Sequence, residues 1–167
     1  MLIDFIQDII FSAIAAIGFA AISNPPRNAY VYCALIAAAG HSSRFLLMNI
    51  PGIEMHIVAA STIAAFIIGV LSVIVSPRTR VPAETYLYPA LLPMIPGMYA
   101  YRCFGGLMMC MLHSSEPAYN HYFYLFTSNG LTCFFILLGM AIGATIPMFL
   151  MKSTAFTATR RQNFAKK

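Results

Sequence analysis

MHIVAASTIAAFIIGVLSVIV, residues 55–75, holds no Asp, Glu, Lys or Arg in twenty-one consecutive positions. At 1.5 Å per residue that is about 30 Å of helix, the thickness of a bilayer's hydrocarbon core. A run this long and apolar reads as a transmembrane helix, because a helix satisfies its own backbone N–H and C=O groups where no water can. Ala59, Ala60, Ser61, Ala64, Ala65 and Gly69 give it a small-residue face for close packing against another helix.

Working outward, four more apolar runs flank it, at about 5–23, 29–48, 82–112 and 121–151. Asn24-Pro25-Pro26-Arg27-Asn28 breaks the first from the second, and Asn49-x-Pro51-Gly52 turns the second into the third. Ser76-Pro77-Arg78-Thr79-Arg80 forms a short basic loop after the third, and His113 to Asn120 a polar turn before the fifth. The first run opens on Asp4 and Asp8, unlike the positive opening of a signal peptide. The fifth carries Gly139-x-x-x-Gly143, a helix-packing pair.

Composition agrees with the runs. Of the 167 residues 60% are hydrophobic and 9% charged, against roughly 25% charged in an ordinary soluble domain. The expected fold is therefore all-α: an integral membrane bundle of about five helices over 1–151, with a basic tail over 152–167. No stretch is long and polar enough for a soluble catalytic domain.

The net charge of +5 does not point to nucleic acid. Five of the ten basic residues, Lys152, Arg160, Arg161, Lys166 and Lys167, follow the last apolar run. With five spans, Arg27, Arg78, Arg80 and this tail share one side, while Asp4, Asp8, Glu54 and Glu116 fall on the other. The positive-inside rule makes the basic side cytoplasmic, with the N-terminus outside and the C-terminus inside. There is no tryptophan, so tyrosines are expected to mark the interfaces: Tyr30, Tyr32, Tyr86 and Tyr88 inside, and Tyr119, Tyr122 and Tyr124 outside. Cys33, Cys103, Cys110 and Cys133 lie in apolar runs without metal spacing and read as small buried hydrophobes.

One run departs from the rest. Tyr88-Pro89-Ala90-Leu91-Leu92-Pro93-Met94-Ile95-Pro96-Gly97-Met98-Tyr99 cannot form a continuous helix, since each proline removes a donor and clashes with the carbonyl four residues back. Broken helices at membrane depth line substrate sites in transporters, where a half-helix N-terminus faces an anion. A kink held by packing is the bland alternative. The second run carries Gly40-His41-Ser42-Ser43-Arg44. At i, i+3 the two side chains share a face, so Arg44 offers a fixed cation to a carboxylate and His41 a group that titrates near neutral pH. Arg44 snorkelling to the headgroups and His41 as a packing residue are the competing readings.

Arg102, just past Gly97, reads as a second anion contact or a partner for Asp8. Asn129, beside Thr127 and Ser128, offers polar contacts to substrate or to another helix. His113, Glu116 and His121 match no established zinc spacing. No phosphate loop, nucleophile elbow or carboxylate pair is present, so no catalytic residue, metal or cofactor is expected.

Asn24-Pro25-Pro26-Arg27, Gly40-His41-x-Ser43-Arg44 and Pro93-Met94-Ile95-Pro96-Gly97 followed by Tyr99 or Tyr101 together resemble the C-terminal module of the threonine/serine exporter family. The resemblance runs from the first span to about Pro147. Some members of that family carry a larger N-terminal module in the same chain, and others are split in two. This chain is similar to the small subunit of a split, two-component bacterial succinate exporter.

The resemblance implies a secondary transporter in the bacterial inner membrane, coupled to the proton-motive force and working with a larger membrane subunit. Its expected substrate is a small carboxylate, threonine/serine or a C4-dicarboxylate such as succinate. The expected substrate-binding residues are Arg44, Pro93, Pro96, Gly97, Arg102 and Asn129, with His41 proton-linked. A homo-oligomer stays open, as does a non-transporting assembly or gating role; a membrane-embedded enzyme acting on lipid is the more distant rival.

Overall fold

The computed structural model describes residues 2–113 and 115–151, and these are helical almost throughout. In chain order the helices are α1 (Leu2–Ser23), α2 (Ala29–Asn49), α3 (Ile57–Thr79), α4 (Glu84–Leu91), a 3-10 turn (Leu92–Met94), α5 (Gly97–Leu112) and α6 (Glu116–Leu150). Four of them, α1, α2, α3 and α6, are long and apolar enough to cross a membrane. The protein is a membrane helix bundle. The basic tail expected over 152–167 lies outside the described residues.

The connections follow local chemistry. Asn24 ends α1 with a left-handed φ of 44°, and the Ala29 N–H bonds back to the Pro26 carbonyl to start α2. Gly52, at φ 90°, makes the α2–α3 turn in a conformation glycine adopts at little cost. His56 caps α3, its Nδ1 accepting from the Val58 N–H.

The segment expected as a basic loop after Val75 is helical instead, and α3 continues through Pro77 to Thr79. The Arg78 Nη1 donates to the Ile74 carbonyl and the Thr79 hydroxyl to that of Val75. These side chains satisfy carbonyls at the frayed helix end, and Arg80 then stops the helix in the left-handed region. Pro117 in the first turn of α6 similarly lets that helix begin inside the expected polar turn.

The chain divides into two compact units. The first holds α1–α4, the 3-10 turn and α6 from Gly139 onward. Its centre is α3, whose Ala60, Ser61, Ala64, Ala65, Ile68 and Gly69 are buried. The small residues permit near backbone contact: Gly40 of α2 faces Ile68, and Gly139 and Gly143 of α6 sit against Thr62. A methyl group added at Gly69 would lie 2.7 Å from the Ala144 carbonyl oxygen. Dispersion across such close backbones holds helices together where lipid removes the hydrophobic drive.

Tyr86, expected among the interfacial tyrosines, is instead fully buried in this unit. Its hydroxyl donates to Thr79 Oγ1 at 2.7 Å and its ring meets Tyr32 edge-on at 6.1 Å, so its polar end is satisfied within the protein.

The second unit, Ile95–Leu138, is an antiparallel pair of α5 and the first part of α6. Gly106 sits against Tyr122 and Phe126, Cys103 approaches Gly130, and the Cys110 thiol points at the Tyr119 carbonyl. All four cysteines are free thiols.

Candidate functional site

The first unit contains a polar cluster where α1 and α2 meet. On α1, Asp8 continues the line of Ser12, Ala16 and Ala20, the three buried residues of that helix at i, i+4 spacing. That narrow face lets α1 approach α2 and carries the carboxylate inward. On α2, Gly40 and His41 are buried. Ser42 and Ser43 donate to the Ala38 and Gly40 carbonyls of their own helix, which absorbs their polarity.

Both carboxylate oxygens of Asp8 lie 3.3 Å from His41 Nδ1. Arg44 Nη2 lies 3.4 Å from the same nitrogen. In the neutral ring Nδ1 bears the proton, because two carboxylate oxygens face it and only an N–H can bond them. His41 Nε2 is then a buried acceptor, and it has no hydrogen-bond partner among the described residues. The cluster thus gathers an anion, a cation and a titratable ring within a spanning pair of helices, an arrangement rarely kept without a functional reason.

The shared face of His41 and Arg44 is as their spacing implies. Asp8 was legible as a charge but not as their neighbour: the residues suggest Arg102 as its partner, and the structure gives Asp8 to His41. The signal that identifies it is the small-residue line on α1, which faces α2.

The broken run is real in the backbone. Helix α4 ends at Leu91, Pro93 lies in the 3-10 turn, and Pro96 (φ −77°, ψ 60°) precedes α5 without a side-chain cap. The boundary between the two units falls within this break, so Pro93 belongs to the first and Pro96 and Gly97 to the second. Arg102 and Asn129 also belong to the second unit. Asn129 Nδ2 donates to the Leu125 carbonyl of its own helix at 2.7 Å. Arg102 is exposed and has no ion pair or hydrogen bond among the described residues.

A second polar place escaped the sequence reading. In the first unit the α1–α2 and α3–α4 connections enclose an open pocket of about 480 Å³, with Asn24, Arg80, Glu84, Thr85 and Tyr88 in its wall. The two connections are 55 residues apart in sequence, so nothing local announces their meeting.

Residues 8–150 match the family described as "Threonine/Serine exporter, ThrE". An uncharacterised protein of Haemophilus influenzae is 40% identical over 108 residues, which is 65% of this chain and 35% of that protein. The chain therefore spans about a third of the length of that curated relative. No solved structure matches the chain.

Proposed function

This chain belongs to the threonine/serine exporter family, and on that premise we propose that it is a subunit of a secondary transporter that exports a small carboxylate. The substrate is threonine/serine or a C4-dicarboxylate such as succinate, and a larger membrane subunit of the same family completes the transporter. It works in the bacterial inner membrane with its N-terminus in the periplasm and its C-terminus in the cytoplasm.

The observation that carries this reading is the guanidinium of Arg44 held beside His41 and Asp8 in the bundle. A fixed arginine in a low-dielectric setting recognises a carboxylate strongly, since the forked donors match the two oxygens. His41, whose imidazole belongs to the class that titrates near neutral pH, is the proton-linked residue. The break at Pro93–Gly97 supplies backbone groups released from helix bonding, which are useful only where protein or a ligand meets them.

The test is metabolite export. Cells carrying Arg44→Ala are expected to lose export of amino and organic acids into the medium, while the protein stays inserted at normal level. Undiminished export by the inserted variant removes Arg44 from the mechanism.

A further inference from the structure

The pocket in the first unit lies where three spanning helices meet their connections. Helix α1 ends at Ser23, α2 begins at Ala29 and α3 ends at Thr79. The pocket, about 480 Å³, is walled by the α1–α2 and α3–α4 connections and the start of α4. Since the spanning helices leave the hydrocarbon at their ends, this is the depth of the lipid headgroups.

Contacts from beneath fix both walls. The buried Ser76 hydroxyl donates to the Val81 carbonyl at 2.7 Å, and the Tyr86 hydroxyl donates to Thr79 Oγ1 at 2.7 Å. The Cys33 thiol of α2 points at the Thr85 carbonyl at 3.5 Å. On the other wall Pro25 is buried, and the Pro26 carbonyl accepts from the Ala29 N–H.

Within this frame Asn24 and Arg80 hold left-handed backbones, at φ 44° and 58°. Asparagine enters that region readily, but glycine is the usual residue where a helix ends this way. Ending α3 requires the backbone conformation and not the guanidinium. A strained residue kept in place by its surroundings points to a use for its side chain.

Glu84 shares the wall with Arg80. No ion pair joins them, and neither side chain has a hydrogen bond among the described residues. The pocket thus offers a cation and an anion separately, with Ser23, Thr85 and the 62% exposed Tyr88 around them.

That pair fits a zwitterion. Forked guanidinium donors match the oxygens of a phosphate, and a primary ammonium can donate to a carboxylate. A choline headgroup has no N–H to donate, and a phosphoglycerol headgroup brings no cation for Glu84. A free amino acid carries the same two charges, but the bilayer supplies headgroups at this depth at a concentration that no solute reaches. Ile22, 80% exposed beside Ser23, gives an acyl chain an apolar surface next to the pocket.

We propose that this pocket binds the headgroup of a phosphoethanolamine lipid, with Arg80 on the phosphate and Glu84 on the ammonium. The inference rests on the chain lying in a bilayer and is independent of which solute is exported.

The test offers the purified full chain equal amounts of phosphatidylethanolamine, phosphatidylcholine and phosphatidylglycerol in detergent, and counts the retained lipids by native mass spectrometry. Phosphatidylethanolamine should be retained about tenfold over either competitor, the worth of one hydrogen bond to a charged group. Glu84→Gln should remove the preference over phosphatidylcholine. Arg80→Gly should lower phosphatidylethanolamine retention about tenfold without lowering the melting temperature of the lipid-free protein, because glycine suits the left-handed backbone. Equal retention of the three lipids overturns the proposal, as does retention indifferent to either substitution. Displacement of the lipid by threonine, serine or succinate also overturns it and puts the pocket on the solute path. Free phosphoethanolamine binding as tightly as the lipid would overturn the assignment to a membrane lipid.

Discussion

At the scale of single residues, the Asp8–His41–Arg44 cluster decides between a structural and a functional account. An uncompensated charge in a spanning segment is strongly unfavourable, whereas an apolar replacement of both partners is often tolerated. Asp8→Leu and Arg44→Met are each expected to lower stability in detergent by about 1–3 kcal/mol, toward the lower end because the Asp8 side chain is 29% exposed. The double variant should recover most of that loss in thermal melts yet remain inactive in export. Additive losses would mean the charges do not interact. His41 gives a second expectation: with Asp8 and Arg44 as the charged groups beside it, His41→Gln should flatten the dependence of export rate on pH. A profile unchanged from wild type would place the proton link elsewhere.

At the scale of elements, glycine sets how closely the helices approach. Gly143 of α6 lies against the Thr62 carbonyl of α3, whereas Gly18 of α1 has nothing within 4 Å. Gly143→Leu should therefore cost about 1–3 kcal/mol or more through overpacking. Gly18→Ala should be neutral or stabilising by up to about 1 kcal/mol, since alanine is the better helix former. Melting temperatures of the two variants in one detergent test the contrast, and equal effects would mean α3 and α6 do not pack as described. The Gly139/Gly143 pair was readable in advance because small-x-x-x-small spacing has a direct packing consequence. The end of α3 was not. Pro77 reads as a breaker, but the donors that cap the freed carbonyls come from Arg78 and Thr79, whose side chains fold back on the helix only once it has formed.

At the scale of the whole molecule, charge asymmetry gives an orientation that labelling can check. In a cysteine-free background, Glu54→Cys should react with a membrane-impermeant maleimide in intact cells, and Arg80→Cys only after the membrane is opened. The reverse pattern would invert the proposed topology. The class of the protein, its long helices, the break at Pro93–Gly97 and the shared face of His41 and Arg44 were determined by the sequence alone. Each depends on hydropathy, proline chemistry or helical periodicity, all of which act over a few neighbouring residues. Only the tertiary structure decided that Asp8 belongs to His41, that Tyr86 is buried against Thr79, and that two connections about 55 residues apart share a pocket. Those outcomes depend on which faces of different helices meet, and in lipid that choice is made by the fit of small residues, a property of pairs of helices and not of any one of them.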